Sequence, residues 1–133
     1  MKKIIVLLLV FITCSCSLED ETPQNYHEFL PIESVILPSE FVLNEAYGIT
    51  VNYIKLTSCH TFNDFFTAQE GNEIKVVVIN TVSRNNCNTL NEEIEATFNF
   101  TPTEVGSYIF KFWQGQDNTG EDNYMTMEVP VVE

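Results

Sequence analysis

Residues 93–101 read Glu-Ile-Glu-Ala-Thr-Phe-Asn-Phe-Thr, with polar and apolar side chains in alternation. Successive side chains of a β-strand point to opposite faces, so this period of two predicts a strand with one buried and one solvent-exposed face. Two later segments repeat the pattern, and their alternating apolar residues are Tyr108, Phe110 and Phe112, then Met125, Met127, Val129 and Val131. The last third of the chain therefore predicts three consecutive strands.

The region before residue 93 also has the pattern of short strands separated by turns. Ile49, Val51 and Tyr53 would share one face of a strand over residues 48–56. We expect no helix, because no window combines helical periodicity with helix caps. About seven strands at short spacing predict an all-β, antiparallel β-sandwich. The other predicted strands cover residues 35–37, 64–69 and 73–82, and residues 84–91 form a polar loop.

One corner of the sequence resembles the E–F corner of immunoglobulin-like domains. The segment 98–110 reads Phe-Asn-Phe-Thr-Pro-Thr-Glu-Val-Gly-Ser-Tyr-Ile-Phe. In that fold a tyrosine at the start of strand F hydrogen-bonds back to the corner backbone. The resemblance implies a turn at Gly106 and this corner role for Tyr108. Phe110 occupies the place of the second cysteine of antibody domains, so the resemblance implies no inter-sheet disulfide there.

The N-terminus has the features of a bacterial export signal. Lys2 and Lys3 precede an uncharged apolar run over residues 4–12, and small residues follow it. This arrangement is typical of a secretory signal peptide. The run is too short for a transmembrane helix, which needs about 20 apolar residues.

The end of this segment resembles the lipobox of bacterial lipoproteins, in which a small residue precedes the cysteine that carries the lipid. Cys16 follows Ser15 and is the favoured lipidation site, while Cys14 after Thr13 is the alternative. Lipidation of Cys16 also leaves an even pair of cysteines in the mature chain. The other alternative is an ordinary secreted protein without lipid. The predicted organisation is a signal peptide over 1–15, an acidic tether over 16–31 and a β-sandwich domain over 32–133.

The chain as a whole resembles small lipoproteins of flavobacterial-type Bacteroidetes that have an immunoglobulin-like domain and no assigned activity. The resemblance rests on the lipobox, on the acidic run Glu19-Asp20-Glu21 that follows it, and on the corner around Tyr108. It implies a lipid-anchored protein of the outer membrane, with exposure at the cell surface as one alternative. A solvated tether is the other interpretation of the acidic run.

The net charge restricts the class of partner. Cleavage before Cys16 removes Lys2 and Lys3 from the six basic residues and leaves four against 19 acidic ones, a net charge of about −15. Such a surface repels phosphate backbones, so we expect no nucleic-acid partner. It also repels anionic lipid headgroups, so the acyl anchor would have to hold the protein on the membrane.

Cys59 and Cys87 are expected to form a disulfide. Both belong to the exported part of the chain, where disulfides form and persist. The alternative is a metal or redox pair, which the neighbouring His60 suggests. Two cysteines and one histidine make an incomplete zinc site, and their spacing differs from that of C-x-x-C redox enzymes.

The sequence offers few candidates for a functional site. His60 lacks any recognisable catalytic motif around it, so we predict a non-enzymatic protein without a cofactor. The oxygen-rich loop 117–123 contains candidate calcium ligands at Asp117, Glu121 and Asp122. It does not match the spacing of an EF-hand, so a hairpin turn is the favoured interpretation. Trp113 is predicted on the strand face opposite Phe112, or at the strand end, as a possible contact for a ligand.

The functional hypotheses belong to two classes. The first is a binding or scaffolding module with an unidentified protein or glycan partner, and a glycan-binding accessory that uses Trp113 is a close variant. The second is a protease-inhibitor-like module or, less favoured, a small hydrolase, which would need a nucleophile, a base and an orienting group in one place.

Overall fold

The computed structural model describes residues 24–133, and these form nine β-strands in two sheets. The predicted all-β sandwich is confirmed. The strand count exceeds the predicted seven because two short strands near the N-terminus have no clear local pattern. The strands are β1 (Asn25–Leu30), β2 (Ile32–Ile36), β3 (Phe41–Val42), β4 (Tyr47–Thr57), β5 (His60–Glu70), β6 (Glu73–Ser83), β7 (Thr89–Phe100), β8 (Gly106–Gln116) and β9 (Asp122–Val132).

The larger sheet has six strands, with β6 at its centre. One edge of β6 pairs along its full length with β5. The other edge is shared, because β8 pairs with Glu73–Val76 and β1 pairs with the stretch from Val78 to Ser83. Beyond β8 in the sheet lies β9, and β3 lies beside β9 at the edge. Because β1 and β8 share an edge of β6, side chains of four neighbouring strands lie close together on one face.

The smaller sheet contains β2, β4 and β7 in that order, all antiparallel. The sandwich also contains two parallel strand pairs, β3 with β9 and β6 with β8. The other five strand pairs are antiparallel, as predicted, and these two pairs depart from the prediction. Parallel pairing joins strands that are distant in sequence, and local patterns carry no information about it.

The core lies between the two sheets and follows the predicted alternation. Ile49 and Val51 of β4 are fully buried, as are Phe110 and Phe112 of β8. Four aromatic rings meet at one end of this core, with centroid separations of 4.9–6.0 Å. They belong to Phe41, Tyr47, Phe100 and Phe110. These packed rings fix the distance between the sheets.

The folded domain begins earlier than predicted. Residues Asn25–Leu30, which the sequence placed in the tether, form β1 and pair with β6, and Leu30 is part of the buried core. The domain therefore starts by residue 25 and not at Ile32. The signal peptide, the lipidation site Cys16 and the alternative Cys14 lie outside the described residues, as does the acidic run Glu19-Asp20-Glu21.

The corner between β7 and β8 has the geometry that the tyrosine-corner resemblance implied. The Tyr108 hydroxyl accepts hydrogen bonds from the backbone N–H groups of Thr103, at 3.1 Å, and Glu104, at 3.3 Å. Tyr108 itself is buried. Gly106 has a φ of 117°, a conformation that side chains with a Cβ rarely adopt, so a glycine is needed at this turn.

Candidate functional site

Trp113 lies on the outer face of the six-stranded sheet. Its neighbour Phe112 points into the core and is fully buried, so alternation directs the indole outward. Trp113 pairs across the sheet with Tyr124 of β9, and both side chains are partly exposed. Its place opposite the inward-facing Tyr108, Phe110 and Phe112 is the one that the alternation predicted.

Other strands bring further apolar side chains to the same outer face. Phe29 of β1 is 52% exposed and Phe66 of β5 is 51% exposed. Phe66 pairs with Val77 of β6, which is only 8% exposed although it points outward. We call the set Phe29, Phe66, Val77, Trp113 and Tyr124 the aromatic face. The solvent-facing side of a sandwich sheet is normally polar, so contiguous aromatic rings that are exposed or partly exposed around Val77 indicate an interaction surface.

The aromatic face forms a shallow depression with a polar rim. The depression has a volume of about 320 Å³, and Gln116 and Asp122 complete its lining. The rings of Phe29 and Trp113 meet edge to face, with centroids 6.1 Å apart and an angle of 77° between the planes. A bound ligand would therefore meet ring faces in two orientations beside a carboxylate and an amide.

A β-bulge brings Gln116 to the rim. In a regular strand, residues three apart point to opposite faces, which would separate Gln116 from Trp113. The pairing of β8 with β9 shifts register between these two residues, and Gly115 between them has a φ of 96°. The extra residue reverses the alternation, so that Trp113 Nε1 and Gln116 Nε2 both donate hydrogen bonds to Asp122 Oδ1, at 3.0 Å and 3.3 Å. In the part of the chain that the structure describes, no hydrogen bond ends on Asp122 Oδ2, which can therefore accept one from a ligand.

A second depression of about 300 Å³ continues the surface toward the β5–β6 hairpin. Four of its five lining residues are polar or charged, namely Gln69, Glu70, Glu73 and Lys75, and the fifth is Ala68. The Lys75 ammonium also lies 5.5 Å from the centre of the Tyr124 ring, which lines the first depression. Lys75 thus joins an aromatic depression to a polar one, and together they form an elongated surface.

The disulfide predicted between Cys59 and Cys87 is present. Their Cα atoms are 5.5 Å apart, within the usual range for a disulfide. His60, the neighbour of Cys59, is buried and hydrogen-bonded on both ring nitrogens, to Thr57 Oγ1 at 2.7 Å and to Glu28 Oε2 at 2.9 Å. This geometry ties the start of β5 to β1, and both nitrogens are occupied by neighbouring side chains.

The acidic loop 117–123 is organised by its own hydrogen bonds. Asp117 Oδ1 accepts from the Thr119 hydroxyl at 2.6 Å, from the Thr119 N–H at 2.8 Å and from the Glu121 N–H at 3.0 Å. These bonds, with that of the Thr119 hydroxyl the strongest, hold the pKa of Asp117 below its usual value. Asp122 points instead to Trp113. Among residues 24–133, no three His, Cys, Asp or Glu side chains are grouped so that they could hold a metal ion.

Several residues of the depression were not identified from the sequence. Phe29 was missed because it was assigned to the tether, and Phe66 because it follows Phe65 without a clear alternation. For Phe66 the only available signal was an apolar residue at a solvent-facing position, and this signal appears only after β5 has been assigned as a strand. Trp113 was the one member that local alternation could assign.

Comparisons with known proteins assign neither a family nor a function to the chain. No protein-family model, curated protein or solved structure matches it. Within the described range, no helix is long and apolar enough to cross a membrane. The aromatic face is therefore the feature of the molecule from which a function can be inferred.

Proposed function

We propose that this protein is a lipid-anchored binding module of the bacterial cell envelope, without enzymatic activity, and that its ligand binds on the aromatic face. The observation that carries the proposal is the exposure of Phe29 and Phe66 beside Trp113 and Tyr124 on the outside of the larger sheet. Phe29 and Phe66 each still expose about half of their surface, and burial of that apolar surface against a partner would make them strong anchors for binding.

The anchor is proposed from the lipobox resemblance around Cys16. Eight residues, 17–24, would connect the lipid to β1, and a chain of that length spans at most about 28 Å. The short connection would keep the domain close to the membrane and its ligand near the same surface. The outer membrane is the proposed location, because an acidic run follows Cys16.

A non-enzymatic role is supported by the surroundings of His60. Both of its ring nitrogens are hydrogen-bonded and the side chain is buried, so its position is that of a packing residue. A general base must reach the proton that it removes, within hydrogen-bond distance or through one water.

The immunoglobulin-like assignment is part of this proposal. The hydrogen bonds of Tyr108 to the corner backbone support it. The parallel pairing of β6 with β8 departs from the antiparallel sheets of that fold. The proposed function rests on the site and not on this assignment, because sandwich domains serve many purposes.

Two measurements on the full-length protein test the proposal. Mass spectrometry of protein from a bacterial host should find an acyl mass on Cys16, and Cys16→Ala should release the protein from the membrane fraction. Separated glycan, lipid and protein fractions of the envelope should then be titrated against the fluorescence of Trp113, the single tryptophan of the chain. At least one fraction should change the emission saturably. No acyl mass would refute the anchor, and no response to any fraction would refute the binding role.

A further inference from the structure

We infer that the ligand of the aromatic face is an extended, neutral glycan chain. This inference rests on the proposed binding function and names the chemical class of its ligand. Sugar rings present apolar C–H faces together with hydroxyl groups. The depression offers the complementary chemistry, because four aromatic rings lie beside Asp122 and Gln116.

The polar rim suits hydroxyl groups. Both hydrogen bonds received by Asp122 from the rim end on Oδ1, so Oδ2 can accept from a sugar hydroxyl. The bonds from Trp113 and Gln116 also hold the carboxylate in place before a ligand arrives. A preorganised acceptor loses less side-chain entropy on binding, which favours recognition of a neutral ligand through its hydroxyl groups.

The charges on this face favour a neutral ligand over an anionic one. Lys111 forms an ion pair of 3.0 Å with Glu73, and Lys75 lies over the Tyr124 ring. Glu70, Glu73 and Asp122 outnumber the two cations Lys75 and Lys111 on this face, and the whole chain has a net charge of −13. An anionic polysaccharide would meet long-range repulsion, and this face has no excess of basic side chains to offset it.

The position of the depression disfavours an extended peptide. Peptides that join a sheet bind to the unpaired backbone groups of an edge strand. The aromatic face is formed by side chains of β1, β5, β6, β8 and β9, and its centre at Val77 lies on a strand whose two edges are paired. A ligand lying over Val77 therefore meets the face of the sheet and not its outer edge, as a glycan would.

The length of the surface indicates more than one sugar unit. The aromatic depression continues past Lys75 into the polar depression that Gln69 and Glu70 line. The combined surface can accommodate a chain, with stacking at one end and hydrogen bonding at the other. We therefore expect a neutral hexasaccharide to bind at least tenfold more tightly than the corresponding disaccharide.

The test is a titration of the full-length protein in detergent with neutral oligosaccharides, followed by Trp113 emission. The probes are β-1,4-glucan, mannan and galactan fragments, with polygalacturonate as the anionic comparison.

Phe29→Ala should weaken binding about tenfold, which corresponds to ~1.4 kcal/mol. Tyr26→Ala is the matched control, because Tyr26 lies on the same strand, is 41% exposed and stands outside the depression. It should change the affinity less than twofold. Asp122→Asn retains a side-chain oxygen acceptor but removes the charge, and should weaken binding as well.

The outcomes separate this inference from the proposed function. The glycan inference is overturned if no neutral glycan shifts the emission, or if polygalacturonate binds equally well. It is also overturned if the disaccharide binds as tightly as the hexasaccharide, or if Tyr26→Ala weakens binding as much as Phe29→Ala. A response to envelope protein alone, or to phosphatidylethanolamine vesicles alone, would overturn the glycan and leave the binding role intact. If no envelope fraction changes the emission of Trp113, both the glycan inference and the proposed binding function are refuted.

Discussion

The indole N–H of Trp113 donates a hydrogen bond of 3.0 Å to Oδ1 of Asp122 across the hairpin that joins β8 and β9. The bond fixes the orientation of a partly exposed aromatic ring on the outside of the sheet. It also places a carboxylate beside that ring, where a ligand would touch both groups. An aromatic ring and a hydrogen-bond acceptor held together in this way form a small preorganised binding element.

Loss of the carboxylate should free the indole. In Asp122→Ala, Trp113 and Gln116 both lose their acceptor, and we expect acrylamide to quench Trp113 more strongly than in the wild type. The free energy of unfolding should fall by less than about 1 kcal/mol, because the hydrogen bond is solvent-exposed. Asp122→Asn is the control and should retain most of the protection. Equal quenching in all three proteins would show that the hydrogen bond does not order the ring.

The disulfide between Cys59 and Cys87 should be a large contributor to stability. It joins residues 28 apart in sequence. The chain-entropy model gives about 3.5 kcal/mol for a loop of that size. The Cys59→Ser, Cys87→Ser double variant should therefore unfold at a much lower urea concentration than the wild type. Reductant should lower the urea concentration at which the wild type unfolds to the same value. Unchanged unfolding of the wild type in reductant would contradict this role.

Tyr108→Phe should destabilise the corner between β7 and β8. The substitution removes the acceptor of the Thr103 and Glu104 N–H groups while it keeps the buried ring. We expect a loss of about 1 kcal/mol in the free energy of unfolding, because two partly buried hydrogen bonds are lost. Tyr26→Phe is an exposed control and should lie within about 0.5 kcal/mol of wild type. A Tyr108→Phe variant as stable as the control would indicate that the corner bonds contribute nothing.

Stability should fall at alkaline pH, with Tyr53 as one cause. Tyr53 is buried and its hydroxyl donates to Asn80 Oδ1 at 3.3 Å. Burial raises the pKa of Tyr53 above the usual 10.0, so the unfolded chain ionises before the folded protein does. The contribution of this tyrosine is therefore complete below about pH 10 and is lost as the pH rises through its pKa in the folded state.

Urea unfolding of Tyr53→Phe between pH 8 and pH 11 tests this assignment. The variant should lose about 1 kcal/mol at pH 8, because Asn80 loses a buried partner, and its stability should then decline less steeply than that of the wild type. If the free energy of unfolding falls equally steeply with pH in the two proteins above pH 10, the alkaline loss of stability belongs to other tyrosines. Tyr26→Phe, which removes an exposed hydroxyl, should retain the wild-type slope.

Local patterns were sufficient for the strands whose two faces differ in burial. Ile49, Val51 and Tyr53 alternate with partly exposed residues on β4, and the tyrosine corner was identified from a short segment around Gly106. β1 was missed because Glu28 occupies an inward position, where it pairs with the distant His60. A charged residue at that register hides the alternation until its partner is known.

The aromatic face shows why a site is harder to predict than a strand. Trp113 could be placed on an outer face because Phe112 precedes it in the core. Phe29 and Phe66 join it only because β1, β5 and β8 all border β6, and this strand order is set by long-range pairing. The bulge at Gly115, which turns Gln116 toward Asp122, likewise depends on how β8 pairs with β9.

The most direct test of the aromatic face as a ligand surface is photocrosslinking on intact cells. A benzophenone amino acid at position 66 replaces an exposed phenylalanine of that face, and the same group at position 105 replaces Val105, which is 57% exposed near the distant start of β8. Benzophenones insert into C–H bonds, so glycan and protein ligands would both be captured. We predict a discrete higher-mass adduct from position 66 that competing neutral oligosaccharide removes, and none from position 105. Equal adducts at the two positions, or no adduct at position 66, would contradict a ligand surface on the aromatic face.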